Sequence, residues 1–234
     1  MFPLRDDAPR GAFPFVTLLL ICVNSLIFAY QFSLWMSSPA AADGFVVTFG
    51  AIPMRATAAM AGNYPLLEGV GPLFTSIFLH GGPLHLVGNM WFLWIFGDNV
   101  EDDLGHFLYL LFYLACGLLA SLAHFFANPE STIPAVGASG AIAGVMGAYM
   151  VRFPTARVVT LIWIVFFVTT IEVPAILMLF YWFALQFLSG AGSAGEAASG
   201  GVAWWAHVGG FVAGAALVLV FRPRRRRARR VYHY

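Results

Sequence analysis

The sequence predicts an all-α, polytopic membrane protein built as a six-helix transmembrane bundle. Three observations predict it. The chain is 60% hydrophobic and only 10% charged over 234 residues, a balance outside that of soluble domains. Its apolar residues gather into stretches near the ~20 residues that a helix needs to cross a bilayer. Its basic residues, 12 in all and every one an arginine, collect outside those stretches, all but Arg55 at positions that would share one side of a membrane.

Helix one is expected over about 14–30, after Arg5 and Arg10. The run lacks a small-residue cleavage site and continues past the length of a signal core, so it is expected to be retained. Residues 31–71 hold Trp35, Met36, Phe45, Phe49, Met54 and Met60. That is too apolar for a solvated loop and predicts a segment lying in or on the bilayer interface. Pro83 suits a helix first turn, so helix two is expected from there to about Val100. His85 and Asn89 then share one face at i and i+4, and His80, before the glycine pair, belongs to a loop or cap. Asp98, Glu101, Asp102 and Asp103 predict a polar turn before helix three, about 104–126, whose terminal His106 and His124 suit the interface.

Helix four, about 134–151, carries Ser139 between glycines, and Arg152, Pro154 and Arg157 punctuate the chain after it. Residues 158–171 are rich in Val, Ile, Thr and Phe and short for a span, which suggests a hairpin or a helix extension. Helix five is expected at 173–188, a Gly/Ser/Ala linker at 189–201, and helix six at 202–221 with His207 near its head. The domain division is 1–12 as an N-terminal cytoplasmic segment, 13–222 as the membrane domain and 223–234 as an arginine-rich tail. Cys22 and Cys116 fall inside helices as small apolar fillers and form no disulfide framework.

Six helices put both termini on one side. Arg5, Arg10, Arg152, Arg157 and the C-terminal cluster then lie inside and Arg55 alone outside, satisfying the positive-inside rule. A seventh span at 158–171 would split the termini, so it is not expected. The tail reads as an anchor facing anionic lipid rather than a nucleic-acid site. The expected location is a bacterial inner (plasma) membrane with both termini cytoplasmic.

In this topology the even-numbered helices run from outside to inside, and Asn89, Ser139 and His207 each lie near the start of one. They therefore converge at one depth in the outer leaflet. A helix-head serine taken alone is most simply an N-cap, but polar groups inside several membrane segments call for a function. A serine hydroxyl is a weak nucleophile and needs a base, which His207 can be. Gly140 with Gly144, and Gly210 with Gly214, form small-xxx-small faces that let helices four and six touch. The free N–H groups at the head of helix four, Asn89 and His85 can donate to an oxyanion. Helices four and six hold no acid, so the arrangement is a Ser-His dyad. A zinc site lacks both a His-Glu-x-x-His pattern and a carboxylate at that depth. No metal or cofactor is expected.

These residues resemble the rhomboid family of intramembrane serine proteases over roughly Phe74 to Phe221. The resemblance rests on His80-x4-His85-x3-Asn89, Gly97 with Glu101 and Gly105, Gly137-Ala138-Ser139-Gly140, and Ala206-His207-Val208-Gly209-Gly210. It implies Ser139 as nucleophile, His207 as base, and His85 and Asn89 at the oxyanion. Inactive relatives lack the serine or the histidine, and this chain keeps both. Some members place an aromatic four residues after the serine, where this chain has Ala143, and some carry a Trp-Arg pair in the first outer loop, absent here. The implied function is hydrolysis of a peptide bond in or beside a transmembrane segment of another membrane protein. The alternative is a non-proteolytic membrane protein that keeps a polar pocket for binding or handling such partners. Reporter fusions at the N-terminus, at Gly195 and after Tyr234 should read inside, outside and inside; termini on opposite sides would refute the six-helix count.

Overall fold

The computed structural model describes residues 2–164, 167–192 and 202–221. A strand β1 (Phe2–Asp6) precedes α1 (Phe15–Ser37). Four short helices follow, α2 (Pro39–Phe49), α3 (Pro53–Met60), α4 (Leu66–Val70) and α5 (Pro72–Thr75), the last running into a 3-10 turn at Ser76–Phe78. Then come α6 (Pro83–Leu104), α7 (His106–Ala127), α8 (Ser139–Arg152), the hairpin β2 (Arg157–Ile164) and β3 (Phe167–Pro174), α9 (Ala175–Gly192) and α10 (Trp204–Val220). The chain is mostly helical, and α1, α7 and α9 are long and apolar enough to cross a membrane by themselves. Outward-facing Phe107, Leu111, Leu118, Phe126, Leu177, Phe180 and Leu188 are exposed, as an apolar solvent allows and water does not.

Several boundaries differ from the sequence reading, each for a local reason. Residues 31–71 extend α1 by two turns and then form α2 to α4, with α5 directly after them; each of α2, α3 and α5 opens on a proline suited to a helix first turn. The described residues of 158–171 belong to the antiparallel strands β2 and β3, in keeping with their β-branched content. β1 pairs antiparallel with β2, which makes a three-stranded sheet that no periodicity announced. Helix four begins at Ser139 rather than near Pro134, because Gly137 sits at φ +134° outside helical space. α9 continues to Gly192, beyond the expected start of the linker; the rest of that linker and the arginine tail lie outside the described residues.

α8 is the central element, with every residue from Gly140 to Tyr149 buried. Its 14 residues rise roughly 21 Å at 1.5 Å per residue, short of the ~30 Å hydrocarbon layer. α8 and α10 run parallel in backbone contact. A Cβ on Gly210 would lie 2.0 Å from the Gly140 carbonyl oxygen, one on Gly214 1.9 Å from that of Gly144, and one on Gly147 2.2 Å from that of Phe211. Gly140 and Gly144 also face α7, where a Cβ would meet Ala120 at 2.6 Å and Cys116 at 2.5 Å.

The end of α6 is a buried polar clamp. Asp98 to Asp103 are not a turn; they complete the last turns of the helix, because each acid has a partner. Glu101, 1% exposed, accepts from the Val16 and Thr17 amides at 2.8 Å and from the Thr17 hydroxyl at 2.7 Å. It thereby caps the head of α1, whose first N–H groups have no partner within the helix. Asp102 accepts from the Gly11 and Ala12 amides, Asp98 pairs with Arg10 at 2.6 Å, and Asp103 with Arg152 at 3.0 Å. Arg152 in turn donates to the Val218 carbonyl at 2.7 Å. Tyr149 donates to Asp6 of β1, and burial pushes the Asp6 carboxyl up to about 6.

Glu101→Gln replaces an acceptor oxygen with an N–H2 facing donors. It should lower the free energy of unfolding by about 1–3 kcal/mol, measured as a depressed melting temperature in detergent. Asp43→Asn, at an exposed position, should leave that temperature unchanged.

Candidate active site

Three parallel helices begin at the same end of the bundle, opposite the acidic clamp. Ser139 is the first residue of α8, His207 lies in the first turn of α10, and His85 and Asn89 lie in the first two turns of α6. Ser139 is not the cap of its helix, since Ala138 holds that position. The serine hydroxyl lies instead 2.7 Å from His207 Nε2. The proximity follows from the glycine contact described above, since the two side chains leave helices whose backbones touch within one turn of the site.

Gly137 shapes the approach to the serine. Its φ of +134° lies in the region that favours glycine, and its amide donates to the Ser76 carbonyl at 3.0 Å. A Cβ there would sit 2.9 Å from Cε1 and Nε2 of His85 and 3.5 Å from Ser139 Oγ. The His85 ring therefore abuts the backbone just before Ser139. His85 Nδ1 accepts from the Gly81 amide at 3.2 Å, which leaves the ring proton on Nε2 as a donor on the Gly137 side. Gln31 of α1 steadies this turn from behind. It accepts from the His80 amide at 3.1 Å and donates to the His80 carbonyl at 3.3 Å. His80 itself is buried in the loop before α6.

Asn89 is buried, and its Nδ2 has no hydrogen-bond partner among the described residues. It lines a cleft of about 1000 Å³ together with His85, Ser139 and His207. A buried amide donor beside a cleft is costly unless something there accepts from it. His124, which the sequence assigned to the interface, lines the same cleft.

The surroundings of His207 hold what sequence reasoning missed. Gln186 of α9 places Oε1 2.7 Å from His207 Nδ1. The Trp182 ring lies tilted at 5.8 Å from the imidazole, and Trp204 meets it edge-on at 6.2 Å. Ala143, where other sequences carry an aromatic, is fully buried, and the aromatic contact comes from α9 and α10 instead. A signal for Gln186 existed: it is the lone amide in the apolar run Ala175–Leu188, and such a group needs a partner in a membrane.

A hydroxyl hydrogen-bonded to an imidazole, next to a donor histidine, an unspent amide and the orphan N–H groups at the head of α8, is equipped for acyl transfer. Residues 68–224 match the model of the Rhomboid domain. Rhomboid protease GluP of Bacillus subtilis is 37% identical over 147 residues, covering 63% of this chain and 26% of that protein. The human presenilin-associated rhomboid-like protein, mitochondrial, is 30% identical over 88 residues, 37% of this chain and 23% of that protein. Rhomboid-like protein 11, chloroplastic, of Arabidopsis thaliana is 41% identical over 70 residues, 30% of this chain and 25% of that protein. In each case the match spans about a quarter of the relative's length.

Gly210→Ala would set its Cβ 2.0 Å from a backbone oxygen of α8, so the two helices must part. A misplacement near 1 Å can cost roughly 10²-fold in a reaction. Labelling of Ser139 by a serine-directed fluorophosphonate should slow by about that factor, while Gly44→Ala, which meets nothing, should label normally. Wild-type labelling of Gly210→Ala would show that the contact does not set the pair.

Proposed function

The chain belongs to the rhomboid family, and from that premise we propose that it is an intramembrane serine endopeptidase. It hydrolyses a peptide bond in or beside a transmembrane segment of another membrane protein by a Ser139–His207 dyad. The observation that carries this reading is the 2.7 Å contact between Ser139 Oγ and His207 Nε2. Ser139 Oγ attacks the scissile carbonyl carbon as its proton passes to Nε2. The oxyanion that forms meets the Ser139 amide, Asn89 Nδ2 and His85 Nε2–H, donors set in place before the reaction. Collapse of the tetrahedral intermediate breaks the C–N bond, with the imidazolium giving its proton to the leaving amine. Water from the cleft, deprotonated by His207, then attacks the acyl ester and restores Ser139.

The six helices α1, α6, α7, α8, α9 and α10 form the membrane bundle of this protein, with both termini on the cytoplasmic side of a bacterial inner membrane. The head of α8, on a helix too short to cross the hydrocarbon, then lies below the outer surface, where the cleft brings water to it. A substrate helix keeps its carbonyls hydrogen-bonded and shielded, so cleavage requires local unwinding, and small or helix-breaking residues are expected near the cut. No cofactor takes part.

The test is cleavage of a model transmembrane substrate by the purified protein. Ser139→Ala and His207→Ala should each abolish it without loss of folding. Asn89→Ala should lower kcat by about 10²- to 10³-fold with KM and melting temperature little changed, because the interaction grows as the oxygen becomes charged. Substantial turnover by Ser139→Ala would end the proposal. Near-normal turnover with a lowered melting temperature for Asn89→Ala would assign that residue to packing.

A further inference from the structure

We propose that Gln186 of α9 is the positioning residue of the base, fixing the His207 imidazole in the one tautomer that can accept a proton from Ser139. The inference rests on the endopeptidase reading and adds a third member to its dyad. Gln186 Oε1 is only an acceptor, and it lies 2.7 Å from Nδ1. The contact therefore requires the ring proton on Nδ1, which leaves the Nε2 lone pair facing the Ser139 hydroxyl at 2.7 Å. The opposite tautomer would set an N–H against Oγ and an unprotonated Nδ1 against a carbonyl-type oxygen. Both contacts would then be wrong for transfer.

No other described neighbour of the ring does this. Trp182 and Trp204 press on the imidazole through their rings, which limits its tilt but does not distinguish its two nitrogens. From α8, position 143 offers only the methyl group of an alanine. The titratable groups within electrostatic reach of His207 are His85 of α6 and His124 of α7, and neither is a carboxylate. Gln186 and His207 are both buried, at 8% exposure each. Both therefore need their polar atoms matched, so their mutual contact is favoured over alternatives that strand either one.

An amide suits this setting better than the carboxylate of a soluble triad. A buried carboxylate without a cation is expensive in an apolar interior, and no cation lies among the ring's described contacts. The neutral amide supplies direction without charge. In soluble serine proteases an Asn in place of the triad Asp puts the imidazole in the wrong tautomer, and kcat drops about 10⁴-fold; what counts is the atom presented to the ring, and here the amide presents Oε1 to Nδ1.

The experiment uses the full chain in detergent and compares wild type, Gln186→Met and Gln186→Glu. Met matches the length of Gln and removes the acceptor; Glu keeps an acceptor oxygen in either protonation state. Gln186→Met should lower kcat by about 10²-fold, the lower range of what a general base contributes, with KM and melting temperature near those of wild type. Gln186→Glu should recover most of the lost kcat. An independent readout is ¹⁵N NMR of labelled histidine, with the His207 signals identified by their loss in His207→Ala. Wild type should show a protonated Nδ1 and an unprotonated Nε2, and Gln186→Met should lose that single-tautomer pattern.

A Gln186→Met protein with wild-type kcat, or a wild-type His207 carrying its proton on Nε2, would overturn the proposal. So would a Gln186→Glu protein as slow as Gln186→Met. If the wild type cleaves no membrane substrate, the endopeptidase reading fails by itself, and the NMR pattern still decides whether Gln186 sets the tautomer.

Discussion

The contact between Ser139 and His207 depends on one packing constraint, the backbone contact between α8 and α10. Within a bilayer the lipid tails are as apolar as the side chains, so helices gain little by burying Leu against Leu and must associate through close van der Waals contact and hydrogen bonds. Gly210 and Gly214 meet the carbonyls of Gly140 and Gly144 so closely that no side chain fits between them. Gly140 and Gly144 also admit α7 through Ala120 and Cys116. α8 is thus enclosed on more than one side by small residues, and a serine at its head reaches a histidine at the head of its neighbour within hydrogen-bond distance. Two larger residues at the same seam would open that gap.

Stability and reactivity are separated along the bundle. At the far end, Glu101, Asp98, Asp102 and Asp103 are paired with backbone amides or arginines that belong to the N-terminal segment, α1 and α8. Every one of these contacts ties together elements distant in sequence, and the helix ends there are locked in register. At the site end the polar groups are held differently. Gln31 fixes the turn before α6 and the Gly81 amide orients His85. The Asn89 amide, by contrast, faces the cleft with no partner among the described residues. Donors left unspent in a rigid frame are what a developing negative charge can use without reorganisation.

The surroundings of the His207 imidazole suit an apolar interior. In water-soluble hydrolases a carboxylate can orient the base, because solvent and nearby dipoles help to carry its charge. Inside this bundle the His207 ring meets instead an amide and two indole rings, which hold it without adding a charge. α9 contributes both Trp182 and Gln186 on the face turned toward α10, while much of its other surface is apolar and exposed.

By itself the sequence determined the fold class, the approximate helices and the four polar residues around the cleft. Apolar runs, glycine spacing and polar residues at helix heads are local patterns, and the direction of successive spans fixes which helix heads lie together. Local pattern also located Gly140, Gly144, Gly210 and Gly214 as packing positions, whereas Gly137 serves the turn before α8 through its positive φ. Tertiary structure alone decided the rest. The acids of α6 looked like a turn because charge is the usual mark of one, and their partners at residues 10–17 and 152 are invisible to any window along the chain. β1 joined the hairpin through a pairing that spans most of the sequence, and Gly147 proved to be a contact of α10 that spacing had not singled out. Gln186 carried a readable sign, an amide in an apolar run, but not the identity of its partner. That partner is set by how α9 rotates against α10, and helix rotation follows from the sum of weak packing contacts, which no single stretch of sequence contains.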